Sequence, residues 1–485
     1  MSRTPTGPES AFRLLPSVDE ALREPRIAAC AARVPRGLVL GFVSAALDRW
    51  RAEIRAGGLA AAALERRIAE GALSEEVERE VARELARGVR RAVNATGVVL
   101  NTGLGRAPVH REAAAAMEEA ARSYCVLEVD RETGERNERD QRLGELLARL
   151  SGAEAGIAVN NNAGAVLLAF STFAQGREAI VSRGELVEIG GSFRVPDVMA
   201  RASATLVEVG TTNRTRIADY RAAIGERTGL LIKVHTSNFR VVGFVEEVAP
   251  AELAELGRER GIAAGWDLGS GLVEDGAAPL AARLGGEPLV RDAVASGFDF
   301  VTFSGDKLLG APQAGLIVGR RGAVAALRRN PIYRALRLDK VALAGLERTL
   351  ELWLAGRGAE VPARALLELD AARMHARAEA IAGRLARLEG LSVDVVASGS
   401  QPGSGSAPGI LLETFVVRAR HARLSPSALA AALRAAPVPV FARVQDDAVL
   451  CDPRTLLDGD EEDLVRAFER AAGAGRDGGE RRRTR

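Results

Sequence analysis

Phe303-Ser-Gly-Asp-Lys-Leu-Leu-Gly-Ala-Pro-Gln-Ala-Gly315 sets a lysine in a Gly-bearing loop between two apolar runs, 300–303 and 315–318. Taken alone, Lys307 reads more readily as a surface residue in a turn than as a nucleophile. Composition changes the weighting. Only three of the 66 basic residues are lysine (Lys233, Lys307 and Lys340), and arginine supplies the rest. Arginine stays protonated at any working pH, whereas lysine can lose its proton and attack a carbonyl. A lysine retained in such a chain marks a place where guanidinium cannot substitute. All nine asparagines also fall between Asn94 and Asn330, which puts the chemistry in the middle of the chain.

Outward from this loop, short apolar or β-branched runs recur at 156–159, 179–182, 205–209, 230–235 and 262–266, mostly separated by Ala/Leu/Arg-rich helical segments. Alternation of this kind predicts an α/β domain with a mostly parallel sheet covered by helices on both faces. Ligands on such sheets bind beyond the carboxyl ends of the strands. Asp267 closes one run in Ala264-Gly-Trp-Asp-Leu-Gly-Ser-Gly271, 40 residues before Lys307. It reads either as a turn cap or as the partner of a protonated ring nitrogen, and Ser304 as a donor to a phosphate. Asn160-Asn-Asn-Ala-Gly-Ala165 follows another run and opens a helix. Such a junction offers Asn161, Asn162, Ala163 and Gly164 to a phosphate at a helix N-terminus, or merely caps the helix. It is neither a Walker loop nor a dinucleotide fingerprint. Arg106 lies in the loop Asn101-Thr-Gly-Leu-Gly-Arg106; Arg334 and Arg337, three apart, are expected on one helix face. Spacing alone gives these three arginines no more than a structural role. His235 ends a run beside Ser237 and Asn238, and reads as a core histidine or as a residue facing the site.

The ends of the chain differ from this middle. Residues 1–73 form a small helical unit, with Ser17-Val-Asp-Glu20 in the form of a capping box. Ser74 is expected to cap a linker helix over 74–91. A large domain over 92–338 precedes a small C-terminal α+β domain over 339–472, where 399–409 is a Gly/Ser loop. A disordered basic tail is expected over 473–485. Forty-seven per cent apolar and 27% charged residues, with a net charge of +2, are ordinary for a globular protein. Three scattered cysteines make neither a disulfide framework nor a zinc spacing, so no metal is expected. No stretch reaches the roughly 18 apolar residues of a membrane span, and no secretory signal opens the chain, so a cytoplasmic protein is expected.

Eight blocks, in order, carry a more specific likeness. They are Arg91-Ala-Val-Asn-Ala-Thr-Gly97, Asn101-Thr-Gly-Leu-Gly-Arg106, Val159-Asn-Asn-Asn-Ala163, Ser182-Arg-Gly-Glu-Leu-Val-Glu-Ile-Gly-Gly191, Gly210-Thr-Thr-Asn-Arg214, Lys233-Val-His-Thr-Ser-Asn238, Asp267-Leu-Gly-Ser-Gly271 and Ser304-Gly-Asp-Lys-Leu-Leu-Gly310. With them the chain, from residue 12 to 470, resembles the bacterial selenocysteine synthase family, the L-seryl-tRNA(Sec) selenium transferases. The resemblance implies a fold-type-I pyridoxal-phosphate transferase with an N-terminal helical tRNA-binding domain. It further implies a homo-oligomer built from dimers, a decamer by family likeness, with seryl-tRNA(Sec) and selenophosphate as substrates. Lys307 matches the cofactor lysine, and Arg106, Arg334 and Arg337 match positions that hold the selenium-donor anion. Thr211, Thr212 and Asp306 match active-site positions. The implied reaction passes through an aminoacrylyl-tRNA to selenocysteinyl-tRNA(Sec), with Asp306, or a water held by Thr211 and Thr212, expected to protonate the leaving hydroxyl. One departure is Ala311, where a second glycine is expected; a methyl there matters only at positive φ.

Other readings compete. A cysteine desulfurase would carry His immediately before the lysine, where this chain has Asp306. A catalytically silent tRNA-binding protein would not need the whole cofactor constellation. A related lyase acting on a small amino acid or amino sugar acid is the stronger rival, but it has no use for the helical residues 1–73.

Overall fold

In the computed structural model, which describes residues 8–85, 88–189, 193–274 and 280–480, the chain divides into two units with the boundary at Arg91/Ala92. Within the first, the expected capping box is formed. Ser17 accepts from the Glu20 N–H (3.2 Å) and its own N–H donates to the Glu20 carboxylate (2.8 Å), starting the helix Val18–Arg23. The longest helix described in this unit, Arg36–Arg55, buries Val39, Val43, Leu47, Trp50 and Ile54 at helical spacing. Helix Ala72–Glu84 corrects an expectation, since it starts two residues before Ser74 and stops well short of Arg91. Gly71 adopts the left-handed conformation ahead of it, and Ser74, buried in the first turn, donates to the Glu24 carboxylate (2.8 Å) instead of capping.

The second unit is built on seven strands: β1 Ala155–Val159, β2 Glu178–Ser182, β3 Thr205–Val209, β4 Thr228–Val234, β5 Ala263–Gly269, β6 Phe300–Ser304 and β7 Gly315–Gly319. They lie in the order β1-β7-β6-β5-β4-β2-β3. Only β7 runs against its neighbours; the other pairs are parallel. Each run expected from sequence is a strand. Except at the edge strand β3, both faces are buried, and successive residues alternate between them. Leu316 and Val318 enter a core with Leu143, Leu147 and Trp353, whereas Ile317 between them enters a second core with Phe170, Met199 and Phe300. Burial on both sides explains why these strands read as unbroken apolar runs.

A second sheet orders Val93–Ala95, Val440–Gln445, Ala448–Cys451, Leu412–His421 and Leu391–Ser400. Its helices Ala371–Leu385, Pro426–Arg434 and Asp460–Glu480 contribute Ile381, Leu433 and Phe468 to one core. Val93–Ala95, at the head of the segment that sequence assigns to the large domain, pairs in parallel with Val440–Gln445. Of the basic tail expected over 473–485, residues 481–485 lie outside the described residues, and the last helix reaches Glu480. Among the described residues no helix is long and apolar enough to cross a membrane, and no group of three or more metal-ligating side chains is gathered.

Candidate active site

Six of the seven strands run in one direction, so their carboxyl ends share one edge of the large sheet, and the residues singled out from sequence collect there. Lys307 follows β6 in a tightly bonded loop. Gly305 N–H donates to Ala314 O (2.9 Å), Ala311 N–H to Gly305 O (2.9 Å) and Leu308 N–H to Ser270 O (3.2 Å). The lysine is buried, and its ammonium has no hydrogen bond among the described residues. Burial, with the charge of Arg106 acting the same way, holds it below the ordinary lysine value; Asp267, Asp306 and Glu287 oppose. A buried amine with a lowered pKa is the form of lysine suited to nucleophilic and base chemistry.

Asp267 lies on the neighbouring strand β5, buried near its carboxyl end. Asn162 Nδ2 (2.8 Å) and Thr302 Oγ1 (3.0 Å) both donate to its Oδ1. Burial pushes this carboxyl above its ordinary value, while those two hydrogen bonds and the charge of Lys307 pull it back. Asn162 therefore turns its amide toward Asp267, and Asn161 is the residue that caps the helix Asn162–Phe173, accepting from Gly164 N–H (2.8 Å). Ala163 is at the second position of that helix, and Ser304 is buried at the end of β6.

Asp306, beside the lysine, forms an ion pair with Arg106 (2.7 Å). Arg334 and Arg337 do not share a helix face, which corrects the expectation from their spacing. Pro331 starts a helix that ends at Leu336, and Arg337 is already extended, bridging to Val159 at the end of β1. Its guanidinium lies 3.5 Å from Glu128, and Arg334 is exposed. No hydrogen bond or ion pair among the described residues links either to Arg106 or Asp306.

Thr211 and Thr212 follow β3 and line a cavity of about 230 Å³ with His235, Glu287 and Ala407. Lys307 and Asp267 are not among its walls. The connection is the loop 402–409 of the C-terminal sheet. A Cβ placed on Gly405 would lie 3.2 Å from Ser237 Oγ and 3.7 Å from Lys307 Nζ. Sequence reading took this stretch as a plain loop; its run of glycines was the available sign that a backbone approaches something closely. Thr302 and Glu287 were also missed, with no local pattern to distinguish them, and Ser237 was noted only as a neighbour of His235. Arg183 and Glu185, in a family block without an assigned role, hold the frame. Arg183 pairs with Glu208 (2.9 Å) and donates to Gly210 O (3.0 Å), while buried Glu185 pairs with Lys233 (2.8 Å).

Among the described residues, Asn162 Oδ1, Ser237 Oγ, Ser270 Oγ, His235 Nε2 and Glu287 Oε1 are buried without a hydrogen-bond partner. A protein interior leaves few polar atoms unpaired. His235 Nε2 and Glu287 Oε1 face each other at 3.4 Å, while the unpaired atoms of Asn162, Ser237 and Ser270, on segments around one lysine, indicate a place shaped for a polar molecule.

Comparison with known proteins adds to this geometry. A family model described as "L-seryl-tRNA selenium transferase" matches residues 92–457, and one described as "Selenocysteine synthase N terminal" matches residues 12–51. The L-seryl-tRNA(Sec) selenium transferase of Geobacter sulfurreducens is 46% identical, covering 95% of this chain and 99% of its own length. The protein of the same name from Solidesulfovibrio magneticus is 47% identical over 94% and 97%, and that from Aquifex aeolicus 43% over 81% and 87%. A solved D-glucosaminate-6-phosphate ammonia-lyase shares the fold, with a TM-score of 0.55, 21% identity, and coverage of 81% of this chain and 98% of that one.

Proposed function

The chain belongs to the L-seryl-tRNA selenium transferase family, and from that premise we infer that it converts L-seryl-tRNA(Sec) to L-selenocysteinyl-tRNA(Sec). The observation that carries the reading is a buried, unbonded Lys307 beside a buried Asp267 held by Asn162 and Thr302, in a chain alike to these transferases over nearly its whole length. The cofactor is pyridoxal 5'-phosphate, and the residues fit it. The unpaired polar atoms of Asn162, Ser237 and Ser270 need partners. Asp267, pushed up by burial, needs a nearby cation, and a protonated ring nitrogen is one. When bound, the cofactor supplies an electron sink for the α-carbon of the seryl group.

This chain's residues then divide the work. Lys307 holds the cofactor and takes the α-proton. Asp267 keeps the ring nitrogen protonated, oriented by Asn162 and Thr302. Ser304, with Asn161, Asn162, Ala163 and Gly164, holds the phosphate. Arg106, set by Asp306, grips the anion of selenophosphate with Arg334 and Arg337, since guanidinium forks suit tetrahedral oxyanions. Thr211 and Thr212 face the seryl side. Residues 1–91 bind the tRNA. Arg13, Arg23, Arg33, Arg36 and Arg55 in that unit are exposed and form no salt bridge among the described residues, which leaves them to phosphates. Exposed apolar side chains at Tyr124, Val126, Val242 and Phe244 support a homo-oligomer of dimers, for which a decamer is the expected number. Cytoplasm is where such substrates meet.

The test is direct. Purified protein incubated with serine-charged tRNA(Sec) and selenophosphate is expected to give selenocysteinyl-tRNA(Sec). Turnover of small amino acids alone would instead support a lyase.

A further inference from the structure

We propose that His235 is the proton donor to the departing seryl hydroxyl and that Glu287 is the residue that positions it; this rests on the transferase reading above. Hydroxide is a poor leaving group and must depart as water. Two of the residues that sequence suggested for this task, Asp306 and Thr211, are engaged elsewhere. Asp306 is committed to Arg106 at 2.7 Å. The hydroxyl of Thr211 is used in its own turn, donating to Arg214 O (3.1 Å) and accepting from Arg214 N–H (3.2 Å).

His235 is differently placed. Its backbone N–H donates to Asp267 O (2.8 Å), which fixes it one strand from the Lys307 loop. The side chain, 22% exposed, lines the same cavity as Thr211 and Thr212. Nε2 lies 3.4 Å from Glu287 Oε1, and neither atom has a hydrogen bond among the described residues. The Glu287 side chain is only 2% exposed, and its other oxygen accepts from Ala407 N–H (3.0 Å). A buried carboxylate with one oxygen left unpaired is costly unless it faces a group it serves. A carboxylate that fixes one imidazole nitrogen leaves the other for proton transfer, and Nδ1 has no partner among the described residues. Ala407 also belongs to the loop that brings Gly405 against Lys307, so Glu287 ties the imidazole to that loop.

In the step, Lys307 accepts the α-proton and the electron pair it leaves becomes the Cα–Cβ double bond. The Cβ–O bond breaks with its pair on oxygen, and the proton of His235 completes a water molecule. Solvent in the cavity then returns a proton to the imidazole.

The experiment uses the full-length, cofactor-loaded protein with seryl-tRNA in deuterated water, comparing the native chain with His235→Asn, His235→Gln and Glu287→Gln. Two quantities are read: selenocysteinyl-tRNA formed, and deuterium entering the seryl α-carbon. Removing a general acid should lower product formation about 100-fold or more for the histidine variants and about 10-fold for Glu287→Gln, with α-exchange kept within about threefold. Exchange and product falling together, or product unchanged, would overturn the assignment. As a check needing no turnover, diethyl pyrocarbonate should modify His235 in the native protein, and seryl-tRNA should shield it; an unreactive or unshielded His235 counts against the proposal. A native protein that neither exchanges nor transfers on seryl-tRNA would sink the transferase reading itself, a separate outcome.

Discussion

Lys307 and Asp267 are each pushed by burial toward the uncharged form, the amine downward and the carboxyl upward. Without cofactor this is a cost, and its pH dependence has a sign. Between the lowered folded pKa of Lys307 and its unfolded value near 10.4, the unfolded chain binds more protons, so stability rises with pH through that window. Below the window the full penalty is present. Cofactor-free Lys307→Met protein should therefore melt a few degrees above the native protein at pH 7, and the gap should narrow toward about pH 10. Melts that differ by a constant amount across that range would contradict a depressed amine. For Asp267 the sign reverses, because its raised carboxyl makes stability fall as pH rises through the window above about 3.9. Asp267→Asn should melt higher at neutral pH without cofactor, yet lose transfer activity by about 100-fold or more once loaded. A variant of full activity would remove Asp267 from the chemistry. Lysine scarcity alone would not have found this pair. Lys233 is spent on Glu185, and Lys340 donates to Ser123 O. What made Lys307 and Asp267 legible was position at adjacent strand ends, which depends on strand periodicity and on one topological rule.

Apart from the edge strand β3, the strands could be read because they are buried on both faces and show as apolar runs. Features set by distant pairing could not. Spacing put Arg334 and Arg337 on one helix, but the backbone leaves the helix at Arg337 to bridge to Val159, 178 positions earlier in the chain. The loop after β6 gives a sharper case, because it carries the departure from the family pattern. Ala311 is buried and is not among the positive-φ residues, so its methyl is accommodated. The left-handed position is Gly310, at φ 70°, where a Cβ would meet Val361 Cγ1 at 2.3 Å. Gly310→Ala should destabilise by about 2–4 kcal/mol, through left-handed strain plus overpacking. Ala311→Gly should cost about 1 kcal/mol or less. Denaturant titration of both separates them, and equal losses would mean that the loop is not held as described.

At the scale of the whole chain, the site draws on parts that no window of sequence brings together. Gly405 reaches Lys307 from nearly one hundred residues downstream, on a loop whose glycines hinted at a close approach without naming its partner. The N-terminal unit poses the opposite problem, since its helices were legible from their own residues while their purpose was implied only by the family resemblance. Its Arg26, Arg49 and Arg67 are used on Glu78 and Glu76 within the unit. Eight other exposed arginines, Arg66, Arg79 and Arg90 besides the five named above, are left without salt bridges among the described residues. If these meet tRNA phosphates, binding must release counterions and weaken steeply with salt, by close to one power of salt per phosphate contact. A chain cut at the Arg91/Ala92 boundary should keep its cofactor, reported by visible absorption, because the residues assigned to hold it all lie after residue 91. Its affinity for seryl-tRNA should fall about tenfold or more, and the slope of log affinity against log salt should flatten. Binding as tight and as salt-sensitive as that of the full chain would move the tRNA contacts into the unit that holds Lys307.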